Sequence, residues 1–167
     1  MLGGYTLARL FTVLREQKGY TYGAYAMNRV KLHSRMTNIV TSVGNDFTAD
    51  TIDTIEAEVR RLATERIDDE ELENARQFLL GSFARTNETP QQTAGLLWTT
   101  LHHNLPRDYY PRLIERLQMY RPEELLLAQE RYFNVEHWCI AASGQPDVVR
   151  TALTGHVEHI QLWDPTS

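Results

Sequence analysis

The stretch "LREQKGYTYGAY", residues 14–25, joins the end of an apolar helix to the start of a β-strand and decides the fold. Four apolar residues around its start follow the helical spacing i, i+3, i+4 and i+7: Leu7, Leu10, Phe11 and Leu14. This spacing predicts an amphipathic helix over residues 5–18 that Gly19 ends. The residues after the glycine are rich in tyrosine and threonine, so the chain is expected to pass from helix into strand there.

Two strands are predicted after this turn. Residues 21–32 and 36–43 are rich in Thr, Tyr, Val and Ile and show partial alternation of apolar and polar side chains. The polar residues 33–35 separate the two runs, and the turn residues 44–46 close the second one. This pattern predicts an antiparallel hairpin.

Helices are predicted to fill the middle of the chain from Thr48 onward. Start signals, either a capping residue or a proline in the first turn, recur along it: Asp68 with Glu71, Thr89-Pro90, Asp108 and Arg121-Pro122. Helical spacing predicts these buried faces: Ile52, Ile55, Val59, Leu62, Leu72, Ala75, Phe78, Leu79, Phe83, Ala94, Leu97, Trp98, Leu101, Leu113, Leu117, Leu125 and Ala128.

The C-terminal part is predicted to add two short strands, residues 137–143 and 159–163, around a brief helix over residues 147–153. Strands, then helices, then a strand indicate an α+β fold with an antiparallel-rich sheet and helices packed on one face. No repeat or linker divides the chain, so residues 1–167 are predicted to form a single domain. Because such a sheet usually has more strands, we expect the domain to be incomplete at its N-terminus and to lack its first strand or strands.

The composition is that of an ordinary globular domain and excludes several classes of protein. Of the 167 residues, 42% are hydrophobic and 23% are charged. A net charge of −5 without clustered Lys and Arg argues against nucleic-acid binding. No apolar run is long enough to span a membrane and no secretory signal is visible, so a soluble chain of unknown compartment is predicted. The single cysteine, Cys139, excludes an internal disulfide and is predicted to be a buried core thiol.

The histidines do not favour a metal site. His156 and His159 are three residues apart, whereas zinc-binding helices place two histidines four apart on one face. We therefore favour a solvated turn there, and a small metal-binding protein remains a third hypothesis. His102 and His103 lie near a helix end, where a cation complements the helix dipole, and are interpreted as structural.

Arg15 and Tyr22 are the candidate functional residues. They flank Gly19, so a tight turn from helix to strand could direct both side chains into the same space. The guanidinium fork and the phenolic hydroxyl suit binding of peptide carbonyls or of a developing oxyanion. An arginine in a last helical turn also complements the helix dipole, and strand tyrosines commonly serve packing. The residues alone therefore favour an ordinary turn.

The segment "LGGYTLARLFTVLREQKGYTYGAY", residues 2–25, resembles the C-terminal, inactive (non-zinc) domain of the M16 metallopeptidases, the family of pitrilysin and the mitochondrial processing peptidase. The Gly-Gly pair, the helix ending in L-R-E and the G-Y-x-Y-G pattern carry the resemblance. The stretch "IDDEELENARQFLLGSFARTNETPQQTAGLL", residues 67–97, is similar to the family's helix pair. The stretch "AASGQPDVVRTAL", residues 141–153, is similar to its penultimate strand and the turn after it.

This resemblance implies a role for Arg15 and Tyr22. In the family, the non-zinc half supplies an arginine and a tyrosine that bind the substrate backbone near the scissile bond, and these match Arg15 and Tyr22. Tyr20 and Tyr25 are neighbours that do not match. The family's zinc is bound by an H-x-x-E-H motif in the catalytic half, and these 167 residues contain no such motif. We therefore expect no cofactor and no catalytic residue in this chain alone, with zinc in the catalytic partner half.

The function implied by the resemblance is that of the non-zinc half of a zinc metalloendopeptidase. Such a chain would bind the peptide substrate and complete the catalytic chamber without being proteolytic alone. The expected partners are a peptide and a zinc-bearing M16 catalytic domain or subunit, and the missing strands favour self-association or a hetero-oligomer. The alternative is a non-catalytic structural or assembly subunit of the same fold. The presence of both Arg15 and Tyr22 favours the peptidase role.

Overall fold

The computed structural model describes residues 1–133 and 138–163. In these ranges a short helix with a widened end is followed by a β-hairpin and a series of helices, which confirms the α+β class. The elements are α1 (Arg9–Phe11), a π-helix (Thr12–Gln17), β1 (Ala24–Val30), β2 (Arg35–Thr41), a 3-10 turn (Asn45–Phe47), α2 (Thr48–Thr64), α3 (Asp69–Arg85), α4 (Pro90–His102), α5 (Tyr109–Met119), α6 (Pro122–Tyr132) and α7 (Pro146–Leu153). None of the helices in the described ranges combines the length and the apolar character needed to cross a bilayer.

The strands β1 and β2 form the predicted antiparallel hairpin, with Ala24 opposite Thr41 at its open end. They make up the whole sheet in the part of the chain that the structure describes. The N-terminal segment runs beside β1, where the Ala26 N–H donates a hydrogen bond to the Gly3 carbonyl at 2.8 Å. A Cβ added at Gly3 would lie 2.5 Å from the Ala26 nitrogen, so this close approach requires glycine.

The hairpin turns one face toward the helices, as predicted. Ala24 is buried, and Ala26 and Ile39 pack against the core from the same face of the sheet. The opposite face carries the exposed apolar side chains Tyr25, Met27, Met36 and Val40. The sheet is therefore covered on one side only within the described residues.

The core lies between the first helix, β1 and α2. Its buried apolar members are Leu2, Leu10, Leu14, Ala24, Val59, Leu62, Ile67 and Leu72. Leu10 and Leu14 belong to the predicted face of the first helix and are fully buried. Leu7, predicted on the same face, is 64% exposed because the regular helix begins only at Arg9. The prediction of a helix from residue 5 is therefore wrong at its start.

An ion pair connects the first helix to α3. Arg9 donates from Nε and Nη2 to the two carboxylate oxygens of Glu71 at 2.7 and 2.8 Å. Only 12% of the Arg9 side chain and 16% of the Glu71 side chain are exposed. The hydrogen bonds that Arg9 donates to Glu71 raise the pKa of Arg9 further above its ordinary value, so the guanidinium stays charged. The pair thus joins two helices that are distant in sequence.

The predicted helix starts are confirmed. Before α3, an Asp68 carboxylate oxygen accepts a hydrogen bond from the Glu71 N–H at 2.6 Å. Before α4, Thr89 and Gln92 form a reciprocal capping box, and Pro90 occupies the first turn. The helices α5 and α6 also begin directly after their predicted start residues.

Several predicted core positions on α3, α4 and α6 are exposed, so this part of the prediction is wrong. These positions are Phe78, Leu79, Ala94, Leu97, Trp98, Leu101 and Ala128. The exposed fraction reaches 79% at Leu101. On α6, Gln129 is buried in place of Ala128 and donates a hydrogen bond to the Leu62 carbonyl. Periodicity fixes which residues share a face, but it does not supply the element that packs on that face.

The two strands predicted near the C-terminus are not formed in the described residues. Residues 138–143 and 159–163 are irregular, and His137 lies outside the described ranges. A strand requires a neighbour that pairs with its backbone N–H and C=O groups, and neither segment has one among the described residues. Cys139, predicted to be a buried thiol, is accordingly exposed. The brief helix predicted between them is present as α7.

Candidate functional site

The candidate site lies where the first helix turns into β1. The helix widens over Thr12–Gln17, where the Lys18 N–H donates to the Val13 carbonyl, five residues earlier, at 3.0 Å. Such π-helical turns are rare in proteins, and those that occur are often found at functional sites. Arg15 lies in the last turn of this segment, so its predicted position at the helix end is confirmed.

Gly19 ends the helix by adopting a left-handed backbone conformation, with φ of +67°. Its N–H donates to the Arg15 carbonyl at 3.2 Å, and the Tyr20 N–H donates to the Leu14 carbonyl at 2.9 Å. Residues with a Cβ avoid this conformation because the Cβ comes too close to the following carbonyl oxygen. Glycine therefore allows the chain to reverse toward β1.

Contacts from the 3-10 turn and the first turn of α2 fix the Gly19 turn from one side. Lys18 Nζ lies 2.6 Å from Asp50 Oδ2. The Tyr20 ring stacks on Phe47, with ring centroids 4.3 Å apart and an angle of 12° between the planes. The Lys18 ammonium and then the Tyr20 hydroxyl lower the pKa of the Asp50 carboxyl, which keeps it charged and paired.

Hydrogen bonds of Thr21 fix the turn from the other side. Its hydroxyl donates to the Gly23 carbonyl at 2.9 Å and accepts from the Gly23 N–H at 3.1 Å. The Thr41 hydroxyl lies 3.1 Å from the Thr21 hydroxyl, which ties the turn to the end of β2. A Cβ at Gly23 would lie 2.8 Å from the ring of Tyr25, so there is no space for a side chain at this position. Tyr22 is thus held between two constrained residues.

Tyr22 and Arg15 both present their side chains to solvent. Tyr22 is 95% exposed and lies in the turn, two residues before β1 begins at Ala24 rather than at the strand start as predicted. The Arg15 side chain is 45% exposed, and its guanidinium carbon lies 4.7 Å from the centre of the Phe11 ring. The described contacts include no hydrogen bond between Arg15 and Tyr22. The structure therefore places both beside the Gly19 turn, and no hydrogen bond among the described contacts joins them.

A groove runs beside this turn. It has a volume of about 450 Å³ and lies between residues 19–22 and residues 42–44, the loop after β2. Tyr22 is part of its wall. Apart from Tyr20, the other lining residues are small: Gly19, Thr21, Ser42, Val43 and Gly44.

Sequence reasoning missed the residues that support the site. Lys18, Tyr20, Phe47 and Asp50 carry no motif, and Tyr20 stood out only as a neighbour of Tyr22. Their contacts connect positions about thirty residues apart, and nothing in the local pattern marks such a pairing. The groove wall at residues 42–44 was predicted only as the end of the hairpin.

The histidine cluster near the C-terminus does not form a metal centre. His156 Nδ1 lies 3.3 Å from Glu56 Oε1, and its Nε2 lies 3.5 Å from Asp53 Oδ1. The predicted turn is present. The His156 side chain is only 15% exposed, so this histidine packs on α2 instead of being solvated as predicted. Within residues 1–133 and 138–163, no group of three or more His, Cys, Asp or Glu side chains could hold a metal ion.

The first part of the chain matches a known family model. Residues 1–79, which include the turn and the groove, match the model described as the peptidase M16 inactive domain. No curated protein matches the chain.

Three solved structures share the fold. A peptidase M16 inactive domain from Pseudomonas fluorescens has 23% identity and a TM-score of 0.72, over 80% of this chain and 32% of that one. A protease from Helicobacter pylori has 18% identity and a TM-score of 0.69, with the same coverage of both chains. A candidate zinc protease from Bordetella pertussis Tohama I has 18% identity and a TM-score of 0.63, over 80% of this chain and 73% of that one. The chain therefore spans about a third of the length of the first two structures. At these sequence identities, the similarity shows a shared fold and nothing further.

Proposed function

We propose that this chain is the non-zinc half of an M16-type zinc metallopeptidase and binds the substrate backbone, because residues 1–79 match the model of the peptidase M16 inactive domain. The observation that supports this most is the turn around Gly19. It is fixed from both sides, and it leaves Arg15 and Tyr22 exposed. A rigid turn with two exposed side chains that can donate hydrogen bonds is suited to holding a ligand in one orientation.

Arg15 and Tyr22 would donate hydrogen bonds to the peptide. The Tyr22 side chain, 95% exposed, can turn toward a ligand freely, and the Arg15 side chain, 45% exposed, can do so by leaving its position over the Phe11 ring. The only ion pair of Arg15 among the described contacts is a long one, 3.7 Å to Glu16. We expect the guanidinium to bind a backbone carbonyl and the Tyr22 hydroxyl to stabilise the oxyanion that develops at the attacked carbonyl.

The groove would hold the peptide in an extended conformation. An extended chain presents its carbonyl and N–H groups alternately to both sides, and most of the lining residues are small, so a peptide backbone can approach them closely. Such contacts are independent of side-chain identity. We therefore propose that this half holds many peptide sequences and that selectivity arises elsewhere in the assembly.

We propose that the zinc of the assembly lies outside this chain. The sequence has no H-x-x-E-H, and the described residues offer no cluster of three ligands. We propose that a partner domain or subunit of the M16 type binds the metal and cleaves the peptide bond. The contribution of this chain is to bind and orient the substrate, and it is expected to be inactive alone.

A role in assembly without catalysis is the second candidate. The exposed apolar side chains Leu97, Trp98 and Leu101 on α4 favour it, since such a surface is typical of protein interfaces. Under this alternative the α4 surface would matter and the Gly19 turn would not. Variants at the turn therefore separate the two roles.

The decisive experiment is peptide cleavage by this chain mixed with a zinc-bearing M16 subunit from the same organism. We expect no cleavage by this chain alone and activity in the mixture. Arg15→Ala and Tyr22→Phe should each lower kcat/KM by about tenfold or more, because each removes a transition-state donor. Arg29→Ala and Tyr25→Phe are matched controls on the neighbouring strand and should leave the rate unchanged.

Two results would contradict the proposal in different ways. If the mixture cleaves and the Arg15 and Tyr22 variants behave like their controls, the turn does not bind substrate. If the proteins form a complex that cleaves no peptide, while α4 variants such as Trp98→Ala prevent its formation, the assembly role replaces the peptidase role.

A further inference from the structure

The closed end of the β1–β2 hairpin, residues 29–36, is basic on a chain that is acidic as a whole. Four basic residues occupy alternate positions there: Arg29, Lys31, His33 and Arg35. All four are exposed, and the ion pairs of the described residues include none of them. Neutral residues separate them in the sequence, and the hairpin brings Arg29 and Arg35 to the same end. The sequence has no Asp or Glu between Glu16 and Asp46, so the hairpin itself supplies no counter-charge.

This end projects beyond the part of the hairpin that packs on the helices. Ala26 and Ile39 contact the core, whereas Asn28 and Val30, which lie on the same face further along β1, are exposed. At about 3.3 Å per residue, Val30 lies about 13 Å beyond Ala26. This distance exceeds the Debye length of about 8 Å at physiological salt, so the charge of the hairpin end acts largely independently of the acidic body. Further strands of a sheet pair along its edges, so the end of a hairpin stays accessible in a wider sheet as well.

Both faces of the hairpin end combine a cation with an apolar side chain. Arg29 lies opposite Met36 on the outer face, and Arg35 lies opposite Val30 on the other face. Leu32 adds an apolar side chain in the turn, and Val30, Leu32 and Met36 are 57%, 55% and 54% exposed. A protein that packs on one face would contact only one of the two arginines. A planar surface that the hairpin enters lengthwise contacts both faces at once.

We propose that the hairpin end inserts end-on into the headgroup layer of an anionic lipid membrane. Val30 and Leu32 enter the boundary between headgroups and acyl chains, where their apolar surface leaves water. Arg29 and Arg35 contact lipid phosphates on the two sides of the inserted end, and Lys31 adds a third cation. Each basic residue near an anionic leaflet strengthens binding by about fivefold, so the contact is peripheral and reversible. This inference is independent of the proposed function.

Binding of the 167-residue chain to lipid vesicles tests the role of charge. We expect binding to phosphatidylcholine vesicles that contain about 30% phosphatidylserine, and binding at least about tenfold weaker to phosphatidylcholine alone. The double variant Arg29→Gln/Arg35→Gln should bind the anionic vesicles at least about tenfold more weakly than the native chain. Arg60→Gln/Arg85→Gln removes the same charge from exposed positions on α2 and α3, so it is the matched control and should bind like the native chain.

The variant Leu32→Ser tests insertion. It should weaken binding to the anionic vesicles by about fivefold or more, because less apolar surface leaves water. Leu97→Ser, at a position on α4 that is 61% exposed, is the control and should have no effect.

Three results would overturn the proposal. The first is a native chain that does not bind the anionic vesicles, and binding of soluble polyglutamate through the same arginines would then indicate an acidic protein in place of a membrane. The second is equal binding by the two double arginine variants, which would show that the hairpin end is not the contact. The third is unchanged binding by Leu32→Ser, which would show that the end does not insert.

Discussion

Lys18 Nζ lies 2.6 Å from Asp50 Oδ2, so an ion pair joins the residue before the Gly19 turn to the first turn of α2. Next to it, Tyr20 stacks on Phe47 with ring centroids 4.3 Å apart. These two contacts come from one short segment and act on alternate residues of the turn. They hold the backbone that carries the candidate donor Tyr22 without touching that side chain.

Removal of the ion pair should loosen the turn. Asp50→Asn keeps the shape of the side chain but loses the charge that Lys18 contacts. We expect amide hydrogen exchange at residues 19–23 to become faster by about two- to fivefold, the range for an exposed pair. Asp46→Asn, an exposed carboxylate in the same segment, is the control and should leave exchange there unchanged. Equal exchange in the two variants would show that the stacking of Tyr20 alone fixes the turn.

The Asp50 carboxylate should stabilise the folded chain to an extent that depends on pH. Lys18 and then Tyr20 lower the pKa of Asp50 in the folded chain. A lowered pKa stabilises the folded state above the unfolded pKa of about 3.9, and this contribution is lost as the pH falls through the lowered value. The difference in unfolding free energy between the native chain and Asp50→Asn should therefore be present at pH 7 and shrink below pH 4. Urea unfolding at several pH values measures it, and a difference independent of pH would contradict the pairing.

Gly19 should not tolerate a side chain. Its φ of +67° costs a residue with a Cβ about 1 kcal/mol or more, so Gly19→Ala should lower the free energy of unfolding by about that amount. Gly81, inside α3 and four residues before its end, is the control because a Cβ there meets no atom within 4 Å. Gly81→Ala should raise stability by about 0.5–1 kcal/mol through helix propensity. If both variants change stability in the same direction, the backbone at Gly19 is not left-handed in solution.

The local parts of this fold could be predicted from the sequence. The hairpin, the helix starts at Asp68 and Thr89, and the turn at Gly19 all follow from signals within a few residues, such as a cap or a change of period. The widened helical turn that carries Arg15 could not, since the spacing of Leu10 and Leu14 fits a regular helix equally well. Which bond pattern forms there depends on packing against other elements.

The non-local parts could not be predicted. Leu97, Trp98 and Leu101 show the spacing of a buried face and are exposed, because burial depends on a second surface that periodicity does not encode. The apolar run around Cys139 predicts a core strand for the same reason, and Cys139 is exposed. At the site, the sequence indicated the positions of Arg15 and Tyr22 on the turn. The support from Asp50 and Phe47 required the fold.

The ion pair between Arg9 and Glu71 gives the strongest prediction about stability. Both side chains are mostly buried, so Glu71→Gln would leave a guanidinium charge without its partner beside the core. We expect a loss of about 3 kcal/mol in the free energy of unfolding, measured by urea denaturation. Glu70→Gln, an exposed neighbour in the same helical turn, should change stability by less than about 0.5 kcal/mol. The double variant Arg9→Met/Glu71→Leu removes both charges and should recover most of the loss, since a buried pair costs desolvation that apolar side chains avoid. If the double variant is as unstable as Glu71→Gln, the loss comes from packing around α3 and not from an uncompensated charge.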